Sequence, residues 1–144
     1  MPFDPDIVVR HRDSYVILLI AEAKLKENLF GSESQLKKYM WEMSCPVGLL
    51  VSPHRLFIFR NQFTGLSDDS VIRFGPFKTP EYWHTFTKKS PFVFERTVQH
   101  WLESIQLNIG TADVPEPTRT ALSEHVLPSL INGEIHAARR RTFT

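Results

Sequence analysis

A mixed α/β fold is what this chain predicts, and three observations carry that expectation. Residues 16–21 form a continuous aliphatic run, Val-Ile-Leu-Leu-Ile-Ala, which argues a central strand covered on both faces rather than a strand with one wet side. A second β-branched run, Ile7-Val8-Val9, precedes it across the turn Arg12-Asp13-Ser14, and a third, residues 47–51, follows an intervening helical pattern. A strand, helix, strand order favours parallel pairing of the two strands that flank the helix.

In chain order, residues 7–11 and 15–23 read as a hairpin, and residues 26–31 as a loop. Ser32 reads as the N-cap of a helix in which Leu36, Tyr39, Met40 and Met43 recur at helical spacing and which ends at Pro46. Residues 47–51 and 56–59 read as a second hairpin about Ser52-Pro53-His54, and residues 61–70 as a loop. Residues 71–74 make a short strand, broken at Gly75-Pro76. Thr79-Pro80-Glu81 reads as a helix start leading through residues 82–88. Pro91 opens a longer helix with an apolar stripe of Phe94, Val98, Trp101, Leu102 and Ile105. Residues 109–119 read as a linker, residues 120–130 as a helix bent at Pro128, and residues 131–144 as a basic tail ending in Arg139, Arg140 and Arg141.

The chain has 144 residues, 42% of them hydrophobic, which predicts a single domain over 1–144. Seventeen basic against sixteen acidic residues leave no global field, so a phosphate-binding surface has to be a local patch. Cys45 is the only cysteine, which excludes an intrachain disulfide framework and fits a reduced, cytoplasmic setting. The longest aliphatic run is far below the roughly 20 residues of a membrane span, so no membrane partner is expected. The six histidines lack HxxxH or HExxH spacing, and no phosphate-cradling glycine loop occurs. Lys37, Lys38, Lys88, Lys89 and the arginine tail are the basic residues available to touch phosphates.

The chemistry gathers at the end of the central strand. Glu22 and Lys24 are two apart and leave one face, while Ala23 points the other way with its carbonyl at the strand end. With the turn centred on Asp13, Asp4 falls opposite Glu22 and Asp6 opposite Ile20. Asp6 then lies one two-residue step from Glu22 on the same face, about 7 Å away between backbones. Two carboxylates and the Ala23 carbonyl suit Mg²⁺, with Mn²⁺ as an alternative. Lys24 beside them can hold or help deprotonate a water and offset charge at a phosphorus centre. An acid, any residue, then lysine is common by chance. At the end of a doubly covered strand, however, such charges must be paired, liganded or at an edge.

Pro5-Asp6, then Glu22-Ala23-Lys24, then Gln35 and Tyr39 together resemble the signature of the PD-(D/E)XK nucleases with the QxxxY helix motif. That variant is similar to the nuclease domains of type I restriction motor subunits and of recombination helicase-nucleases. The resemblance covers about residues 5–59. It implies a restriction-endonuclease-like mixed sheet core of αβββαβ type in residues 1–75, with its first helix missing, and additional C-terminal helices in 76–144. It implies Asp6 and Glu22 as metal ligands, Lys24 as the catalytic lysine, and Gln35 and Tyr39 as helix residues near the site and the DNA backbone; Lys37 and Lys38, basic residues of the same helix, are the further candidates for nucleic-acid contact. The function implied is Mg²⁺-dependent hydrolysis of DNA, in a homodimer or a larger restriction or repair complex. The alternative is a catalytically silent module that keeps the core for binding nucleic acid or protein.

The family core places a helix and a strand before its Pro-Asp motif, whereas four residues precede Pro5 here. A strand apolar on both faces needs cover on each, at about 25 cal/mol per Å² removed from water, and one helix covers one face. The stripe of the helix opened by Pro91 is therefore expected on the second face, with a homodimer completing it.

Overall fold

A computed structural model describes residues 4–26, 28–86, 90–107, 111 and 113–137. It is a mixed six-stranded sheet between two helical layers. Strands β1 (Ile7–His11), β2 (Ile17–Ala23), β3 (Val47–Val51), β4 (Arg55–Asn61), β5 (Val71–Lys78) and β6 (Gly133–Ala137) lie in the order β5-β4-β3-β2-β1-β6. The helices are α1 (Phe30–Glu42), α2 (Pro91–Gln106), α3 (Glu116–Ala121) and α4 (Leu127–Ile131). β2 and β3 pair in parallel through the α1 crossover, as the strand, helix, strand order predicts, and the other pairings are antiparallel.

The pleat sorts β2 onto two cores. Leu19, Ala21 and Ala23 face one side with Trp83, Phe94, Val98, Trp101, Leu102 and Ile105. Ile20 faces the other with Val8, Leu36, Met40, Leu50 and Phe59. The α2 stripe thus lies on the sheet as its periodicity requires, and Leu122, Val126 and Leu130 extend the same layer. Within it Trp83 meets Phe94 and Trp101 edge-on, with ring centroids 5.5 and 4.8 Å apart, the arrangement aromatic quadrupoles favour. On the opposite face α1 approaches closely over Gly48, where a Cβ would come within 2.6 Å of the Met40 sulfur.

Several local expectations give way to tertiary contacts. Helix α1 starts at Phe30, not after Ser32. The Asn28 side chain accepts the Phe30 N–H and buried Leu29 anchors the entry. β5 does not stop at Phe74. It bulges opposite Phe57, with Gly75 at φ 112°, and continues to Lys78, because glycine tolerates a φ that breaks strands of other residues. The segment after Thr79 is a short 3₁₀ turn over Glu81–Thr85, and Thr79 donates to the Pro53 carbonyl instead of capping it. α3 occupies part of the expected linker. The single helix expected over 120–130 opens into a wide π turn at Leu122–Val126 ahead of α4. Pro128, lacking an N–H, cannot continue regular α bonding there.

The largest departure is β6, where a tail was expected. It pairs with all of β1 from Ile7↔Ala137 to His11↔Gly133. The Arg12 guanidinium and the Gln106 amide both donate to the Gly133 carbonyl and hold its start. Lys88, Lys89 and Arg139 to Arg141 lie outside the described residues.

Candidate functional site

The site forms where β1 begins and β2 ends. The hairpin register differs from the one a turn centred on Asp13 would produce. His11 and Val16 close a four-residue reversal, the His11 N–H donating to the Val16 carbonyl at 2.8 Å, and Tyr15 takes φ 61°. Leu18 is then bulged out between the pairs Val9↔Leu19 and Arg10↔Ile17. Each feature moves the register by one residue. Ile7 meets Ala21, and Asp6 comes directly opposite Glu22 instead of Ile20. The reversal alone would turn Asp6 to the other face, because a one-residue slip inverts the pleat. The bulge restores it, so Asp6 and Glu22 share the α1 face.

Three hydrogen-bonding contacts lock the pair. The Asp6 N–H donates to Glu22 Oε1 at 2.9 Å, the Ala23 N–H donates to Asp6 Oδ2 at 2.9 Å, and Lys24 Nζ sits 3.1 Å from Glu22 Oε2. Glu22 is 3% exposed and Lys24 43%. Burial first, then the charge of Asp6, pushes the Glu22 carboxyl up to about 8 against the pull of Lys24. Burial opposes charge on Lys24, yet Glu22, Asp6 and Glu95 of α2 together raise its pKa. Glu95 is a contributor that short-range motif reading misses. Its one available signal is its place beside Phe94, at the border of the stripe that packs on the sheet.

The other expected residues lie along α1. Gln35 and Lys38 are exposed. Lys37 is 21% exposed and tied to Glu33 at 3.1 Å. Tyr39 is half buried against the α1-face core; burial, then Cys45, raises its pKa, with Asp4 adding and Arg10 opposing. Cys45 is buried, its thiol pushed up to about 12 by burial and bonded to the Val47 carbonyl, so it is inert as a nucleophile.

Among the described residues no cluster of three or more His, Cys, Asp or Glu side chains forms a metal cage. The donor set is the Asp6 and Glu22 pair with the Ala23 backbone. Two carboxyls held side by side, one with its proton affinity raised, form a place where a cation relieves repulsion. That is a fit to a hard divalent ion, which typically takes one or two carboxylates and keeps several waters.

Compared with family models, curated proteins and solved structures, the chain gives no match. No helix among the described residues is long and apolar enough to cross a membrane.

Proposed function

We propose that this protein is a Mg²⁺-dependent DNA endonuclease of the restriction or repair type, built on a restriction-endonuclease-like core and working alone, as a homodimer or within a larger complex. The observation that carries the reading is the cross-strand lock of Asp6 and Glu22 with Lys24 on the second carboxylate oxygen. The topology supports it too. β6 pairs antiparallel to β1 on its outer edge and α2 covers the second face; in this reading they stand where the family core has the strand and helix ahead of its Pro-Asp motif.

In this reading Asp6 and Glu22 hold Mg²⁺, which when bound supplies Lewis acidity to a phosphoryl oxygen. Ala23 fixes the Asp6 carboxylate through its N–H. Lys24, half exposed at the mouth of the site, orients the attacking water and offsets negative charge developing on the phosphoryl group. Purified protein with Mg²⁺ or Mn²⁺ is expected to nick or cut plasmid, and Glu22→Ala and Lys24→Ala to abolish cutting. Equal traces of cutting by wild type and variants would mark contamination and refute the reading.

A catalytically silent binding module is the second reading. The polar lock favours it, since the Glu22 proton and the Lys24 ammonium can satisfy the carboxylates without a metal. Calorimetric titration with Mn²⁺ separates the two. Saturable binding that disappears in Asp6→Ala excludes the silent module as a metal-free one.

A further inference from the structure

Among the described residues β6 is the last strand of the sheet, with β1 on one side and no strand on the other. Backbone alternation fixes which groups that open side carries. The Arg12 N–H donates to the Asn132 carbonyl, while the His11 N–H turns the other way, to the Val16 carbonyl ahead of β2. Even-numbered residues of β1 therefore bond to β6. Their partners, Glu134 opposite Arg10 and His136 opposite Val8, turn their peptide groups inward. The N–H and C=O of Ile135 and Ala137 point away from β1, at the open edge. A groove of about 430 Å³ lies beside it, walled by Glu103 and Gln106 of α2, and leaves room for a further strand.

The side chains decide which strand fits. Ile135 packs on the α2-face core, which leaves Glu134 and His136 on the other face, both more than half exposed and 3.4 Å apart. A second β6 laid antiparallel on the edge has to pair outward-turned residues with each other. The registers of greatest overlap are then centred on residue 134, 135 or 136. Centred on 134, Glu134 meets the copy's Glu134; centred on 136, His136 meets the copy's His136. Centred on Ile135, each Glu134 meets the copy's His136 in the closely spaced pairs where side chains interact most. Ile135 then exchanges both its hydrogen bonds with its own counterpart, and the two strands overlap from end to end.

We propose that β6 is a dimerisation edge, through which two copies of this chain join antiparallel about a two-fold axis at Ile135 into one continuous sheet. A second copy is the occupant because the charges of the strand complement themselves in the one register of full overlap and repel in its two neighbours. The inference is independent of the nuclease reading. Such an axis stands perpendicular to the sheet, so both carboxylate pairs fall on one face of the dimer.

Sedimentation equilibrium at about pH 6, where an imidazole carries charge, is expected to show a concentration-dependent dimer. Ile135→Pro removes an outward N–H and spares the bonds to β1, and it should leave a monomer. Glu134→Lys and His136→Glu each set like charges against each other across the edge and should raise the dimer Kd about tenfold or more. Mixed in equal amounts, these two variants should dimerise again, because each chain offers the charge the other needs, whereas a defect within one chain would survive mixing. In the unaltered protein, hydrogen exchange of the Ile135 amide should slow as concentration rises. A wild type that stays monomeric, a dimer that all three variants leave unchanged, or folded charge variants that fail to restore each other overturns the proposal. An Ile135 amide equally protected at every dilution would mean that the chain itself covers the edge, and overturns it too.

Discussion

At the residue scale, Glu22 is the group on which the site turns, because its neighbours pull its proton in opposite directions. Its folded pKa, about 8, lies above the ordinary 4.5. The folded state therefore keeps a proton that the unfolded chain has released. The stabilisation linked to that proton is complete below pH 4.5 and is lost as pH rises through about 8. Urea midpoints of the wild type should fall across that window, by at most about 1.4 kcal/mol per pH unit, and Glu22→Gln should flatten the curve. A midpoint that stays level between pH 4.5 and about 8 would mean that Glu22 is ionised against Lys24 throughout. A second expectation follows from the proposed metal, which would have to displace the same proton. Mn²⁺ affinity measured by calorimetry should rise up to about tenfold per pH unit between pH about 6 and about 8, with proton release that depends on the buffer. Affinity independent of pH would place the ion away from Glu22.

At the scale of the elements, close approach between strand and neighbour depends on two glycines that differ in what surrounds them. A Cβ on Gly48 meets the sulfur of Met40, the far part of a flexible side chain, and Leu36 Cδ2 at 3.3 Å. A Cβ on Gly133 meets the β-branched Val9 side chain and two backbone oxygens, Ser129 O at 2.9 Å and Arg10 O at 3.1 Å, none of which can swing aside. Gly133→Ala should therefore destabilise by about 2–3 kcal/mol and Gly48→Ala by about 1 kcal/mol, within the range for overpacked sites. Denaturant unfolding of the two variants decides this, and equal costs would contradict the argument. The caps follow the same local logic. Ser90 accepts the Phe92 N–H at 3.2 Å ahead of Pro91, so Ser90→Ala should cost about 1 kcal/mol.

At the scale of the whole molecule, the two faces of β2 are covered from different parts of the chain, α1 from within the parallel crossover and α2 from beyond β5. Trp101 is 3% exposed and packs on Trp83, so Trp101→Ala should cost about 3–5 kcal/mol by urea unfolding. A loss below about 1 kcal/mol would mean that α2 is not a structural wall of the site. That wall has a functional side as well, because Glu95 on the same helix adds to the field at Lys24.

The central strand, its parallel partner and the α2 stripe were legible in the sequence, because aliphatic continuity and helical spacing are local consequences of burial. Asp6, Glu22 and Lys24 were legible as a set, because charges at the end of a doubly covered strand demand a partner. Their pairing was not. Whether Asp6 meets Ile20 or Glu22 depends on a four-residue reversal and the bulge at Leu18, and a backbone slip of one residue leaves no mark on composition or periodicity. β6 was illegible for a related reason. Gly-Glu-Ile-His-Ala carries one large apolar residue, and it is a strand because β1 offers it an edge and Arg12 and Gln106 take its first carbonyl.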